Sequence, residues 1–177
     1  MASSPKGPVP PGADPTEFDR LRRRILWRMP SGLYLLGSAA GGRRNLMTHT
    51  WAMQVSQEPK LLAVSVRHDA LTCELVRQGG AFSLCFLKRE DRAIVRAFTK
   101  PAEEGPGPTM LGGVEVRTGT TGTPIFSGAA AWLECEVRQE LELGDHALFV
   151  GEVVDCAAPD EDAPLLRTED TRLNYGG

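Results

Sequence analysis

Apolar side chains recur first at helical spacing and later at every second position. Phe18, Leu21 and Ile25 fall at i, i+3 and i+7, which places them on one face of a helix. Asp14-Pro15-Thr16-Glu17 supplies its start, with an Asp to cap, a Pro at the first helical position and a Glu two residues on. Arg20, Arg22, Arg23, Arg24 and Arg28 fill the opposite face. Such a face is solvated, meets another subunit, or touches a polyphosphate or RNA. Met29-Pro30-Ser31-Gly32 ends the helix, and the period then drops to two. Residues 33–38 read as a short apolar strand and 39–42 as a turn. Residues 45–56 read as one long strand with Met47, His49, Trp51, Met53 and Val55 on a common face. Residues 61–66 are almost continuously apolar, as expected of a buried central strand.

The second half repeats this grammar. A helix is expected over residues 70–78, with Asp69 as its cap and Gly79-Gly80 closing it. Residues 81–87 form another apolar strand, and 91–98 a third helix stopped by Pro101. After a Pro/Gly loop over 101–108 come strands at 113–117, 130–141 and 147–155. In the middle one, Ala131, Leu133, Cys135 and Val137 alternate with Trp132, Glu134, Glu136 and Arg138, predicting one buried and one wet face. Strands outnumber helices and show no βαβ rhythm. The predicted fold is therefore mainly β, an antiparallel barrel with flanking helices. Residues 1–14 are Pro/Gly-rich and expected to be a disordered tail, leaving one domain over 15–177.

Composition narrows the class. The 177 residues are 41% hydrophobic and 24% charged, a balance that supports a globular core. A net charge of −3 argues against a nucleic-acid binder. No apolar run approaches the roughly 20 residues that span a bilayer, and the N-terminus has no secretory apolar stretch. The four cysteines, Cys73, Cys85, Cys135 and Cys156, show no CxxC pairing or zinc spacing. They are expected to be buried, reduced thiols of a cytoplasmic protein.

Two stretches carry candidate chemistry. Ser65-Val66-Arg67-His68-Asp69 leads a buried strand straight into a helix start. Free backbone N–H groups and the positive dipole end meet there, and Ser65, Arg67 and Thr72 add donors for one phosphate. The same residues also fit an ordinary helix start beside a surface Arg. Asn45 to Trp51 alternates polar and bulky groups, which suits either a slot for a flat heteroaromatic ligand or a packed sheet face. In the slot reading, Met47 or Trp51 gives apolar contact while Thr48 and Thr50 hydrogen-bond a ring edge. His49, His68 and His146 lack metal-site spacing, and neither GxSxG nor a dinucleotide or P-loop glycine fingerprint is present. Gly144-Asp145-His146 reads as a tight turn with a His at a strand mouth.

Together these segments resemble the flavin reductase-like, FMN-binding split-barrel family. Met29 to Tyr34 resembles its strand entry, Asn45-Leu46-Met47-Thr48 its N-G-M-T strand, and Ala81 to Cys85 its F-A-V-N strand. Gly144 to Val153, GDHALFVGEV, is almost letter for letter a family segment. The resemblance implies a Greek-key-like antiparallel split β-barrel and a homodimer with FMN, or alternatively FAD, near the subunit interface. It implies NAD(P)H-dependent flavin reduction, frequently supplying a separate monooxygenase. By position, Met47, Thr48, His49, Thr50 and Trp51 would flank the flavin ring, and Ser65, Val66, Arg67 and Thr72 would hold its phosphate. His146 would stand on the nicotinamide side, and Tyr175 in the C-terminal Asn174-Tyr175-Gly176-Gly177 would cover the ligand. Leu46 replaces the family's Gly, His49-Thr50-Trp51 replaces small residues, and Cys85 stands where the family's F-A-V-N strand carries Asn, against the ligand.

Overall fold

The capping pattern at Asp14 is realised as written. In a computed structural model that describes residues 7–171, helix α1 (Pro15–Leu26) begins with Glu17 N–H donating to Asp14 Oδ1 at 2.8 Å. Its apolar face is left open among the described residues: α1 buries none of its residues, and Leu21, Ile25 and the following Met29 stay exposed.

Strand β1 (Tyr34–Ala40) turns at Gly41-Gly42 into β2 (Arg43–His49). The single strand expected over 45–56 is instead two, because the chain breaks at Thr50-Trp51 before β3 (Ala52–Ser56). The reason is topological. β2 pairs with β1, whereas β3 pairs with β4 (Leu61–Arg67), and these ladders lie at opposite edges of one sheet. Met53 and Val55 are accordingly exposed and do not continue the face of Met47 and His49.

Helix α2 (Leu71–Gly79) follows β4, with Gly80 closing it through an N–H to Val76 O. Ala70 takes the capping position, with no side-chain cap. Asp69, the expected cap, pairs with Arg67 instead. β5 (Ala81–Phe86) leads into a 3₁₀ helix, Arg89–Phe98, where an α-helix from 91 was expected. It buries Val95 and Phe98, and Asp91 Oδ2 accepts the Lys88 N–H at 3.1 Å. A small sheet of β6 (Met110–Leu111), β7 (Val114–Thr118) and β8 (Pro124–Phe126) comes next. Its outer two strands were not foreseen, being too short to show a period.

Two long strands complete the fold, β9 (Ala131–Leu143) and β10 (His146–Ala157). The main sheet has seven strands in the order β2-β1-β5-β9-β10-β4-β3, every pair antiparallel. Consecutive strands β2 and β3 thus form its two edges, joined by chain and, among the described residues, by no ladder. Both faces are covered. Leu35 packs with Leu46, Cys85, Phe98 and Leu166, whereas its neighbour Leu36 packs with Val64, Val76, Phe82 and Phe149.

Double-sided burial also corrects the reading of β9. Trp132 and Glu134 are buried, not wet. Arg117 lies over the Trp132 ring at 4.2 Å, and the Glu134 carboxylate accepts the N–H groups of Thr120 and Thr121 at 2.8 and 2.9 Å. Of the cysteines, Cys73, Cys85 and Cys135 are buried but Cys156, near the end of β10, is exposed.

Gly151 shows how closely the strands meet the core. A Cβ there would lie 2.7 Å from the Phe82 ring and 2.8 Å from Cys135 Cβ, at a register shift between β9 and β10. Gly151→Ala is expected to cost about 2 kcal/mol by overpacking. Urea unfolding at neutral pH measures it.

Candidate functional site

The corner after β4 is built by helix-start geometry. Ala70 N–H donates to Arg67 O at 3.1 Å and Cys73 N–H to Ala70 O at 3.0 Å. The N–H groups of Leu71 and Thr72 therefore belong to the first turn, which has no acceptor inside the helix. This turn opens on a cavity of about 400 Å³, within the range of small-ligand sites. One wall is Met47, Thr48, His49 and Thr50; another is Ser65, Val66, Arg67 and the start of α2 through Thr72. The two stretches singled out from sequence meet here.

Individual side chains have defined states. Thr48 Oγ1 donates to Val95 O at 2.6 Å, so its proton is used within the fold. Thr50 Oγ1 is buried and has no hydrogen-bond partner among the described residues. A buried hydroxyl without a partner is costly, and this one lies on the cavity wall. Arg67 reaches the cavity from a half-exposed position and pairs with Asp69.

His49 is 5% exposed, and its Nε2 lies 3.0 Å from Trp51 O. A carbonyl oxygen only accepts, so the proton sits on Nε2 and Nδ1 is left as an acceptor. Burial pushes its pKa down to about 4, helped by nearby His146 and opposed by the bond to Trp51. The ring is neutral at physiological pH.

His146 is placed by the turn before it. Gly144 adopts φ +57°, a left-handed conformation that favours glycine, and β10 starts with His146 opposite Arg67. Its Nδ1 lies 2.7 Å from Asp145 Oδ1, and the Trp51 ring packs on it with centroids 4.7 Å apart and a 40° tilt. His146 and Trp51 stand beside the cavity and are not among the residues that line it.

Cys85 does not reach the cavity. It is fully buried in the core, its Sγ accepts the Phe126 N–H at 3.4 Å, and burial pushes the thiol up to about 12. Its face of β5 packs toward Leu35 and Leu46, away from the site. Tyr175 lies outside the described residues. Leu46, where the family carries Gly, is wholly buried in the same core and adds no bulk to the cavity.

The cavity also takes residues that pattern reading missed: Leu33, Thr99, Lys100, Pro101 and Thr168. Lys100 sits between a helix end and a proline, where no periodicity marks it. Thr168 arrives from the chain's last segment, which returns to the barrel through Leu166 N–H to Leu87 O at 2.8 Å. Among the described residues there is no cluster of three or more His, Cys, Asp or Glu able to hold a metal ion. No helix there is long and apolar enough to cross a membrane.

A β-walled cavity with a helix start at one end and a bulky strand at the other agrees with the sequence resemblance. Residues 26–174 match the family described as flavin reductase like domain, and the chain belongs to that family. It is 33% identical over 155 residues to a ferric-chelate reductase (NAD(P)H) of Archaeoglobus fulgidus, covering 85% of this chain and 89% of that one. It is 29% identical over 133 residues to a diflavin flavoprotein of Synechocystis, of which it spans only 23% while 75% of this chain is covered. Among solved structures, the NADH:FAD oxidoreductase of Streptomyces globisporus C-1027 superposes with a TM-score of 0.76 at 25% identity, over 93% of this chain and 96% of that one. The styrene monooxygenase flavin reductase of Pseudomonas putida S12 gives 0.66 at 27% identity, over 79% and 88%. The fold is thus the antiparallel split barrel of the flavin reductases.

The state of His49 has a consequence for stability. Its folded pKa, about 4, lies below the ordinary 6.5, so between these values the unfolded chain binds a proton that the native chain does not. Its contribution is complete above pH 6.5 and is lost as the pH falls towards 4, by about 3 kcal/mol over the window. His49→Gln keeps a donor for Trp51 O and should flatten the acid limb by that amount, measured by urea unfolding at pH 7 and pH 4.5.

Proposed function

We propose that the protein is an NAD(P)H:flavin oxidoreductase that binds FMN, with FAD as the alternative flavin. One observation carries the reading: Thr50, whose buried hydroxyl has no partner among the described residues, and the open first turn of α2 line the same cavity. A flavin fits that donor set, with a polar ring edge for Thr50 and an anionic phosphate for Ser65, Arg67, Thr72 and the helix dipole. A single phosphate corner favours FMN over FAD. When bound, the flavin supplies hydride chemistry with the nicotinamide.

The chain's own residues bind and orient. Met47 offers apolar surface to the ring, and the neutral His49 holds the Trp51 carbonyl and keeps charge away from the wall. His146, packed under Trp51, borders the side from which a nicotinamide would approach. Its part is positioning.

We propose as well that the protein is a cytoplasmic homodimer that passes reduced flavin to a monooxygenase. The apolar face that α1 leaves exposed supports a second copy, free cysteines support a reducing compartment, and the styrene monooxygenase reductase is a structural neighbour. A second reading is an FMN-binding electron carrier that does not use NAD(P)H. The Trp51 ring packed on His146 favours it, since bulk beside the cavity would hinder a nicotinamide from stacking there.

Two variants test the assignments. His146→Ala should lower NADH-driven flavin reduction at least tenfold while flavin stays bound, read by anaerobic stopped-flow; an unchanged rate removes His146 from the site. Arg67→Ala should weaken FMN about tenfold and riboflavin hardly at all, because only FMN carries the phosphate. Fluorescence titration of both flavins measures the difference, and equal losses refute the phosphate corner.

A further inference from the structure

Asn45 has no role in the scheme above, yet both ends of its carboxamide are used. It lies in β2, 2% exposed. Its Oδ1 accepts the Ala102 N–H at 2.8 Å, and its Nδ2 donates to Thr72 Oγ1 at 2.9 Å. The amide can be oriented only one way, because the backbone N–H of Ala102 donates and must meet the oxygen. Thr72 Oγ1 is therefore an acceptor toward Asn45, and its own proton is left to another partner. In helices a Thr hydroxyl commonly donates to a carbonyl three or four residues back. Thr72 makes no such bond among the described residues, and it lies on the cavity wall beside Ala70 and Leu71.

The same carboxamide reaches a second stretch of the wall. Ala102 directly follows Thr99, Lys100 and Pro101, which also line the cavity. One buried side chain thus ties the start of α2 to the segment that carries Lys100.

We infer that Asn45 is a positioning residue, which turns the Thr72 hydroxyl proton toward the flavin phosphate and holds the Lys100 segment on the wall of the same cavity. The inference rests on the flavin reading above. Asn45 lies on the cavity wall as well, and it acts through Thr72, since both ends of its carboxamide are already bonded within the fold.

Asn45→Asp tests it, since the shape is kept while the donor becomes an acceptor. One carboxylate oxygen still takes the Ala102 N–H; the other takes the Thr72 proton and turns it away from the cavity. Fluorescence titration should show FMN affinity falling about tenfold or more and riboflavin affinity changing less than about twofold. Thr72→Val should give the same selective loss, Thr72→Ser should restore FMN binding, and the Asn45→Asp/Thr72→Val pair should lose no more than either alone. If Asn45→Asp does not fold, the two Thr72 variants decide. Equal losses for FMN and riboflavin, or unchanged FMN affinity in Thr72→Val, would overturn the inference. A wild-type protein that binds neither flavin would overturn the flavin reading instead.

Discussion

The Trp51 carbonyl is the point on which the site depends. It accepts the Ser65 N–H and faces His49 Nε2, each at 3.0 Å. Ser65 belongs to β4 and His49 ends β2, so one oxygen holds together strands that lie toward opposite edges of a seven-stranded sheet. The chain passes from one edge to the other through Thr50 and Trp51 alone. A sheet with edges joined by so short a crossing must roll up, and rolling brings the end of β2 against the end of β4. The cavity forms where they meet.

The remaining geometry follows from that closure. β4 exits into α2 at the cavity, so the free N–H groups of the helix start face into it. The register of β10 on β4 sets His146 opposite Arg67, and the same crossing lays the Trp51 ring over His146. His49 gives up its charge to stay buried against the crossing, a cost accepted because its neutral ring makes a bond that a charged, desolvated ring would hold at greater expense. Bulk at positions 49–51 is thus structural at His49 and packed on His146 at Trp51, whereas the buried Thr50 hydroxyl is left without a partner among the described residues.

Much of this was legible before any coordinates. The helix start at Asp14, the buried run at 61–66 and the strand-to-helix corner come from local rules of capping and alternation, and the structure realises them. Sequence pattern failed where a long-range partner decides the outcome. Alternation through 45–56 is continuous, so only the pairing of β2 and β3 with different partners reveals the break at Thr50. Glu134 looked wet because charge usually marks solvent, and the two N–H groups it accepts come from a loop that pattern cannot place. Cys85 was assigned to the ligand by its motif position, but its side of β5 faces the core. Lys100, and the tie from Asn45 to its segment, became visible only once the loop after the 3₁₀ helix was seen to fold back on β2.

The central claim is that this cavity holds a flavin which NAD(P)H reduces. Its most direct test is the visible absorption spectrum of the purified protein with FMN, recorded under anaerobic conditions before and after adding NADH and NADPH. The account predicts a protein-bound flavin spectrum that bleaches rapidly with at least one of the two nucleotides. A protein that takes up no flavin, or a bound flavin that both nucleotides leave oxidised, would contradict it.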